Sequence, residues 1–211
     1  MYTPPAFRED RPEVLREILR AARLAILVSA APDGGAPEAT HLPLLLAEEE
    51  GPQGTLYGHL ARANPHWRGL AAAGRARAIF PGPEAYVSPS LYPGKAEHGR
   101  VVPTWNYVAV HALGPVEVIE DAPRLSAIVA RLTDRHEAAR PAPWAVTDAP
   151  EPYIAGQLKG IIGVALRIET LIGKRKLSQN RSAADRAGVR AGLAASEHPA
   201  DRALAEAMRG G

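Results

Sequence analysis

The sequence, 211 residues long, contains no cysteine. Disulfides, thiolate catalysis and cysteine-ligated zinc or iron–sulfur centres are therefore excluded. Aromatics are scarce at 5%, so each tryptophan and tyrosine says more than usual. Long apolar runs are missing as well. The longest lie near 24–31 and 161–166, far too short to span a bilayer. The segment MYTPPAFRED lacks the apolar stretch of a secretory leader. Neither sign of charge dominates: 25 Lys and Arg against 23 Asp and Glu leave a formal charge of +2, too mild to announce nucleic-acid binding. The sequence has no G-x-G-x-x-G, G-x-x-x-x-G-K-[ST], H-E-x-x-H or G-x-S-x-G. The common nucleotide, zincin and hydrolase readings thereby lose their main support. No second histidine stands at ligand spacing from Glu97-His98, so no metal site is expected. A cytoplasmic protein with no membrane association is expected.

Turns and short strands are plentiful. The 20 prolines and 19 glycines are spread along the chain, which suits a β-rich core. Asp10, Pro12 and Glu13 open a helix over 11–22. LAILVSA at 24–30, the turn PDGGAP and the returning EATHLPLLL read as a hairpin. TLYGHL at 55–60 is a strand, and Asn64-Pro65 starts a helix over 65–73. RARAIFPG and EAYVSP read as two strand pieces, 89–103 as a loop, and 105–119 as a strand pair bent at Gly114-Pro115. Asp121 caps a helix to about 139, and a short helix covers 152–160. IIGVALRIETLIG is a strand with Val164, Leu166 and Ile168 on one face; from Asn180 the tail is Ala- and Arg-rich helix. Strands in hairpin order with edge helices argue for an antiparallel barrel, mainly β with peripheral helices, rather than a doubly wound sheet. The expected division is one domain over 1–193 and a helical tail over 194–211.

Three stretches carry chemistry. In GHLARANPHW, Arg62 lies in the turn between a strand and a helix start. Free N–H groups at a helix N-terminus beside a guanidinium suit a phosphate; the plainer reading is that Asn64 only caps the helix. KAEHGRVVPTWNY places Trp105 and Tyr107 just after a cationic loop. GKRKLSQNR gathers Lys174, Arg175, Lys176 and Arg181, either a solvated basic run with a cap at Asn180 or a set of anion contacts. His41 opens an otherwise apolar strand, where a histidine is more often a satisfied core residue than a catalyst. A helix–turn–helix in the tail lacks the necessary hydrophobic positions.

In order along the chain, HLPLLL, GHLARANPHW, YVSPSLYPGKAEHGRVVPTWNY, RLTDRHE, KLSQNR and ADRAGV closely resemble the PaiB family of FMN-binding negative transcriptional regulators. The resemblance covers nearly the whole chain, to about Leu193. It implies a split β-barrel of the flavin-reductase and pyridoxamine-phosphate-oxidase type, a homodimer with FMN at the subunit interface, and DNA contact, direct or indirect. It also implies site residues. His59, Ala61, Arg62 and Asn64 match the turn that holds the FMN phosphate. His41 and Pro43 reach the ring from the preceding strand. Thr104, Trp105 and Asn106 match PTWNY, with Trp105 packing on the ring or the partner subunit and Asn106 bonding a polar edge. Lys176 and Gln179 match KLSQN and come across the dimer interface. Two departures stand out: Leu91 and Arg175 occupy positions where the family usually carries tryptophan. The alternatives are a flavin-dependent oxidoreductase using NADH or NADPH, and a flavin sensor or carrier without turnover.

Overall fold

The computed structural model describes residues 1–210. Among them no helix is long and apolar enough to cross a membrane. The elements alternate between short strands and helices. β1 (Arg8–Glu9) and α1 (Pro12–Ala21) come first. β2 (Ala25–Ser29) and β3 (Glu38–Leu42) form the expected hairpin, Ala25 opposite Leu42 and Ser29 opposite Glu38. The returning segment does not run on as one strand. It breaks at Pro43-Leu44 and resumes as β4 (Leu45–Ala47), which pairs with β5 (Thr55–Ala61) instead of β2. Proline has no N–H for a ladder, so the chain changes partner there. α2 (His66–Ala73) follows, and then β6 (Arg75–Val87).

β6 is one strand of 13 residues, not two pieces. Its prolines, Pro81 and Pro83, fall beyond the stretch that pairs with β2, which ends at Ile79. No ladder bond to β2 is asked of them. The loop expected over 89–103 holds a short 3-10 turn at Pro89–Leu91 and α3 (Gly94–His98). β7 (Thr104–Ile119) runs unbroken through Gly114-Pro115. α4 (Ala122–Glu137) is capped by Asp121, whose carboxylate accepts from Arg124 N at 3.0 Å. α5 (Glu151–Leu158) precedes β8 (Ile161–Arg167) and β9 (Thr170–Lys176), which the sequence had suggested were a single strand. α6 (Ala183–Ala194) and α7 (Pro199–Ala207) end the chain. Ser182, not Asn180, caps α6 by accepting from Asp185 N.

The chain forms two compact units, each discontinuous in sequence. The first comprises 1–18, 81–110 and 172–211, and the second 19–80 and 111–171. The second contains the antiparallel path β3-β2-β6-β7-β8-β5-β4, with its own portions of β6 and β7. α4 lays Leu125, Ile128 and Leu132 on it, against Ile119 and Ala165. Gly163 permits this close approach, since a Cβ there would stand 2.9 Å from Leu125. In the first unit β1 pairs with β9, Arg8 opposite Lys174. Its core joins Val87, Tyr92, Val108 and Leu177 to Val189 and Leu193 of α6 and Leu204 of α7. Period-two burial on the strands and one apolar stripe per helix account for both cores.

Gly114 is the tightest backbone approach in the second unit: a Cβ there would collide with the carbonyl of Arg167, and backbone cannot yield as a side-chain tip can. Gly114→Ala is expected to cost about 3 kcal/mol, the upper end for overpacking. Gly156→Ala, in α5 with open space around it, is expected to be neutral or slightly stabilising. Thermal unfolding of the two variants checks both.

Candidate functional site

The candidate residues divide between the units: His41, Pro43, His59, Ala61, Arg62 and Asn64 in the second, Thr104, Trp105, Asn106, Lys176 and Gln179 in the first. In the second unit β5 ends at Ala61 and α2 begins at His66. Asn64 works as the plainer reading expected. Its Oδ1 accepts from His66 N at 3.0 Å, and its Nδ2 donates to Thr40 Oγ1 at 3.1 Å. Thr40 Oγ1 meets His66 Nδ1 at 2.8 Å, and His66 Nε2 meets Ser29 Oγ at 3.1 Å. Ser29 Oγ in turn donates to Ala30 O at 3.2 Å. One set of proton positions satisfies the whole chain. Asn64 and Thr40 donate in sequence, His66 accepts at Nδ1, and its Nε2–H donates to Ser29. Buried His66 fits this set as the neutral imidazole, the form that burial favours by lowering its pKa. Sequence reasoning passed over Thr40, His66 and Ser29, although His66 lies inside GHLARANPHW and Thr40 directly precedes HLPLLL.

Arg62 sits half-buried in the turn. Its Nε donates to Lys159 O at 3.0 Å and its Nη1 to Glu120 at 2.8 Å. Trp67 Nε1 donates to Arg62 O at 3.1 Å. The Glu120 pair is exposed on both sides. Such a pair is worth about 0–1 kcal/mol and does not withhold the guanidinium from a stronger anion. His59 lies on β5, its Nδ1 buried without a partner and its pKa lowered by burial. Gly58 beside it lies against Pro43: a Cβ there would stand 2.9 Å from Pro43 O. His41 is exposed at its strand position rather than in the core, and Ala61 is exposed too.

In the first unit PTWNY and KLSQN meet within one chain. Lys176 Nζ donates to Thr104 Oγ1 at 2.5 Å and to Trp105 O at 2.7 Å. Burial first, then Lys174 and Arg181, lower its pKa. Gln179 folds back on its own turn, accepting from Leu177 N at 2.7 Å and donating to Arg175 O at 2.6 Å. Both residues thus have same-chain partners where the resemblance implied contacts across a dimer interface. Between them Ser178 takes a left-handed φ of 63° and accepts from Asn106 Nδ2 at 2.8 Å. Asn106 is fully buried, and its Oδ1 has no partner. Trp105, next to it on β7, points the other way: it is 50% exposed, as is Tyr86, with ring centroids 6.0 Å apart and planes at 54°. Its indole N–H donates to Glu84. Trp105 and Asn106 thus occupy opposite faces of one strand and do not address one face of a flat ligand together.

The basic run is not a solvated face. Lys174 is buried, bonded to Tyr2 O at 3.0 Å and 4.9 Å from the Tyr107 ring. Arg175 donates to Ala207 O at 2.7 Å and lies 3.5 Å from Glu9. Among the described residues no cluster of three metal-ligating side chains occurs.

Comparison with known proteins sets this geometry in a family. Residues 1–170 match the family model described as "Putative FMN-binding domain". Over 208 residues the chain is 31% identical to the protease synthase and sporulation protein PAI 2 of Bacillus subtilis, covering 99% of this chain and 96% of that one. The chain belongs to the PaiB family. An uncharacterized protein of Aspergillus fumigatus is 35% identical over 90% of this chain and 89% of its own. Among solved structures, the FAD and heme binding protein from Mycobacterium smegmatis superposes with a TM-score of 0.60 at 19% identity, covering 85% of this chain and 78% of that chain. The fold is an antiparallel split barrel.

The two departures from the PaiB pattern have structural explanations. Leu91 packs on α6 where Gly188 and Gly192 leave room, since a Cβ at either would strike it. Arg175 ties β9 to the end of α7 through Ala207 O. Both changes serve the packing of the helical end of the first unit.

The second unit also sets a pH dependence. Burial lowers the pKa of His59 and His66, and burial aided by Arg77 lowers His111 to about 4. An unfolded histidine titrates near about 6.5, so below that pH the unfolded chain takes up protons that the folded chain refuses. Stability is therefore complete above about pH 6.5 and falls with acidification until the folded histidines protonate. The urea midpoint should be lower at pH 5 than at pH 7.5. A flat profile would contradict the neutral assignments.

Proposed function

We propose that this chain binds FMN and acts, as a cytoplasmic homodimer, as a PaiB-like negative regulator of transcription. One observation carries the flavin reading: Trp105 and Tyr86 leave half their surfaces exposed on one side of the strand pair, in a chain with 5% aromatics. Flat rings held against each other on a rigid strand offer the apolar contact that an isoalloxazine requires. In the second unit, taken by itself, the Arg62 turn supplies positive charge of the kind a phosphate requires.

Each residue has a stated part. Trp105 and Tyr86 receive the ring and exclude water from its face. Asn106 holds Ser178 and so fixes the turn from which Lys176 reaches back to Trp105 O. Within the second unit, Arg62 and the start of α2 by themselves suit an anion such as a phosphate, and the Asn64–Thr40–His66 chain keeps that turn rigid without presenting a second charge. Bound FMN would supply reversible electron acceptance. A regulator can use this to sense the redox state or the flavin supply.

The test separates ring from phosphate. Trp105→Ala should weaken FMN and riboflavin alike by about 1–3 kcal/mol, the scale for stacking on an aromatic side chain. Arg62→Ala should weaken FMN by about 1.5–3 kcal/mol and leave riboflavin unchanged. Equal loss of both flavins in Arg62→Ala would remove the phosphate assignment. Anaerobic bleaching of the bound flavin by NADH or NADPH would favour the oxidoreductase reading instead.

A further inference from the structure

We infer that the α6–α7 pair is a surface for the phosphate backbone of duplex DNA. The inference rests on the regulator reading above and supplies it with a direct DNA contact. α6 has two distinct faces. Asp185, Val189 and Leu193 are buried, while Arg190 and Ala183, Ala187, Ala191 and Ala194 are exposed. Spacings of three and four residues keep these alanines and Arg190 on one side of the helix.

Two adjoining clefts lie along this side. One, about 560 Å³, has Arg190, Arg202 and Arg209 around a floor that includes Ala191 and Ala205. The other, about 260 Å³, has Arg186, Arg190 and Arg209 with Ala183 and Ala187. Arg190 and Arg209 belong to both, so the clefts form one continuous strip.

Charge on the strip is predominantly positive. The acids of the two helices are mostly engaged elsewhere: Asp185 accepts from Gly94 N at 3.0 Å, and Asp201 accepts from Ser196 Oγ at 2.7 Å. Glu206 faces the larger cleft and pairs with Arg209 at 3.2 Å, both largely exposed. A pair this exposed is readily exchanged for a phosphate. Glu197 lies exposed in the turn before α7.

The occupant follows from what the strip contains. Guanidinium forks match phosphate oxygens. The alanine floor has no bulky side chain to keep a broad polyanion away. The lining of the strip has no aromatic side chain of the kind that anchors a protein–protein interface, and its one large apolar residue, Met208, is buried. An open strip, rather than a closed cavity, suits a linear polymer of phosphates more than a single small anion.

The test uses the full-length protein and a fluorescently labelled random-sequence duplex of about 20 base pairs, read by anisotropy across 50–200 mM salt. Each neutralised phosphate contributes about −0.9 to the slope of log affinity against log salt. The wild type should show a slope of about −3. Arg190→Gln/Arg209→Gln, which changes two exposed side chains, should bind at least tenfold more weakly with a slope shallower by about 2. Its FMN titration and melting temperature should stay at wild-type values. Arg140→Gln, an exposed arginine beyond α4, should bind DNA as the wild type does. Unchanged affinity and slope in the double variant would overturn the inference, as would no binding by the wild type at 50 mM salt. A promoter reporter repressed equally by wild type and double variant would also overturn it while leaving the regulator reading intact.

Discussion

The bond from Asn106 Nδ2 to Ser178 Oγ fixes the arrangement of the candidate site in the first unit. It ties β7 to a turn whose central residue has a left-handed backbone. A serine accepts that conformation only when its surroundings define it. Gln179 supplies the rest by bridging Leu177 N and Arg175 O with one amide. With the turn closed, Lys176 reaches Thr104 and the carbonyl of Trp105. The indole is then held on the outer face of β7, against Tyr86 and Glu84. An interior amide therefore determines the position of an exterior aromatic surface.

The second unit solves a different problem, a rigid turn beside a helix start without buried charge. The line Asn64, Thr40, His66, Ser29 can pass hydrogen bonds in one direction with a neutral imidazole. Burial lowers the pKa of that imidazole and so favours its neutral form. Arg62 remains at the edge, where its exposed partner Glu120 is easily exchanged. Rigidity comes from neutral groups and the positive charge from one guanidinium.

Much of this was legible in the sequence, for definite reasons. The β2–β3 hairpin followed from the apolar run LAILVSA and the turn PDGGAP, and α4 followed from its cap Asp121. β6 was not, because Pro81 and Pro83 read as breakers, and only the end of the β2 pairing at Ile79 shows that they break nothing. The opposite directions of Trp105 and Asn106 follow from the period of a strand. The partners of Lys174, Arg175, Lys176 and Gln179 lie far along the chain, as Tyr2, Glu9, Thr104 and Ala207 do, or within their own turn, so sequence alone made a basic run of what folds into a set of internal ties. ADRAGV and YPGK carried the resemblance to PaiB, and they meet through Asp185 and Gly94 N. Motifs that mark a family can mark its packing as well as its chemistry.

The fold and family establish what kind of molecule this is, and the exposed aromatic pair indicates where a flavin would lie. The most direct test is a crystal structure of the protein grown with FMN. The isoalloxazine should lie in van der Waals contact with Trp105 and Tyr86. Flavin bound elsewhere, with the indole still facing solvent, would contradict that placement.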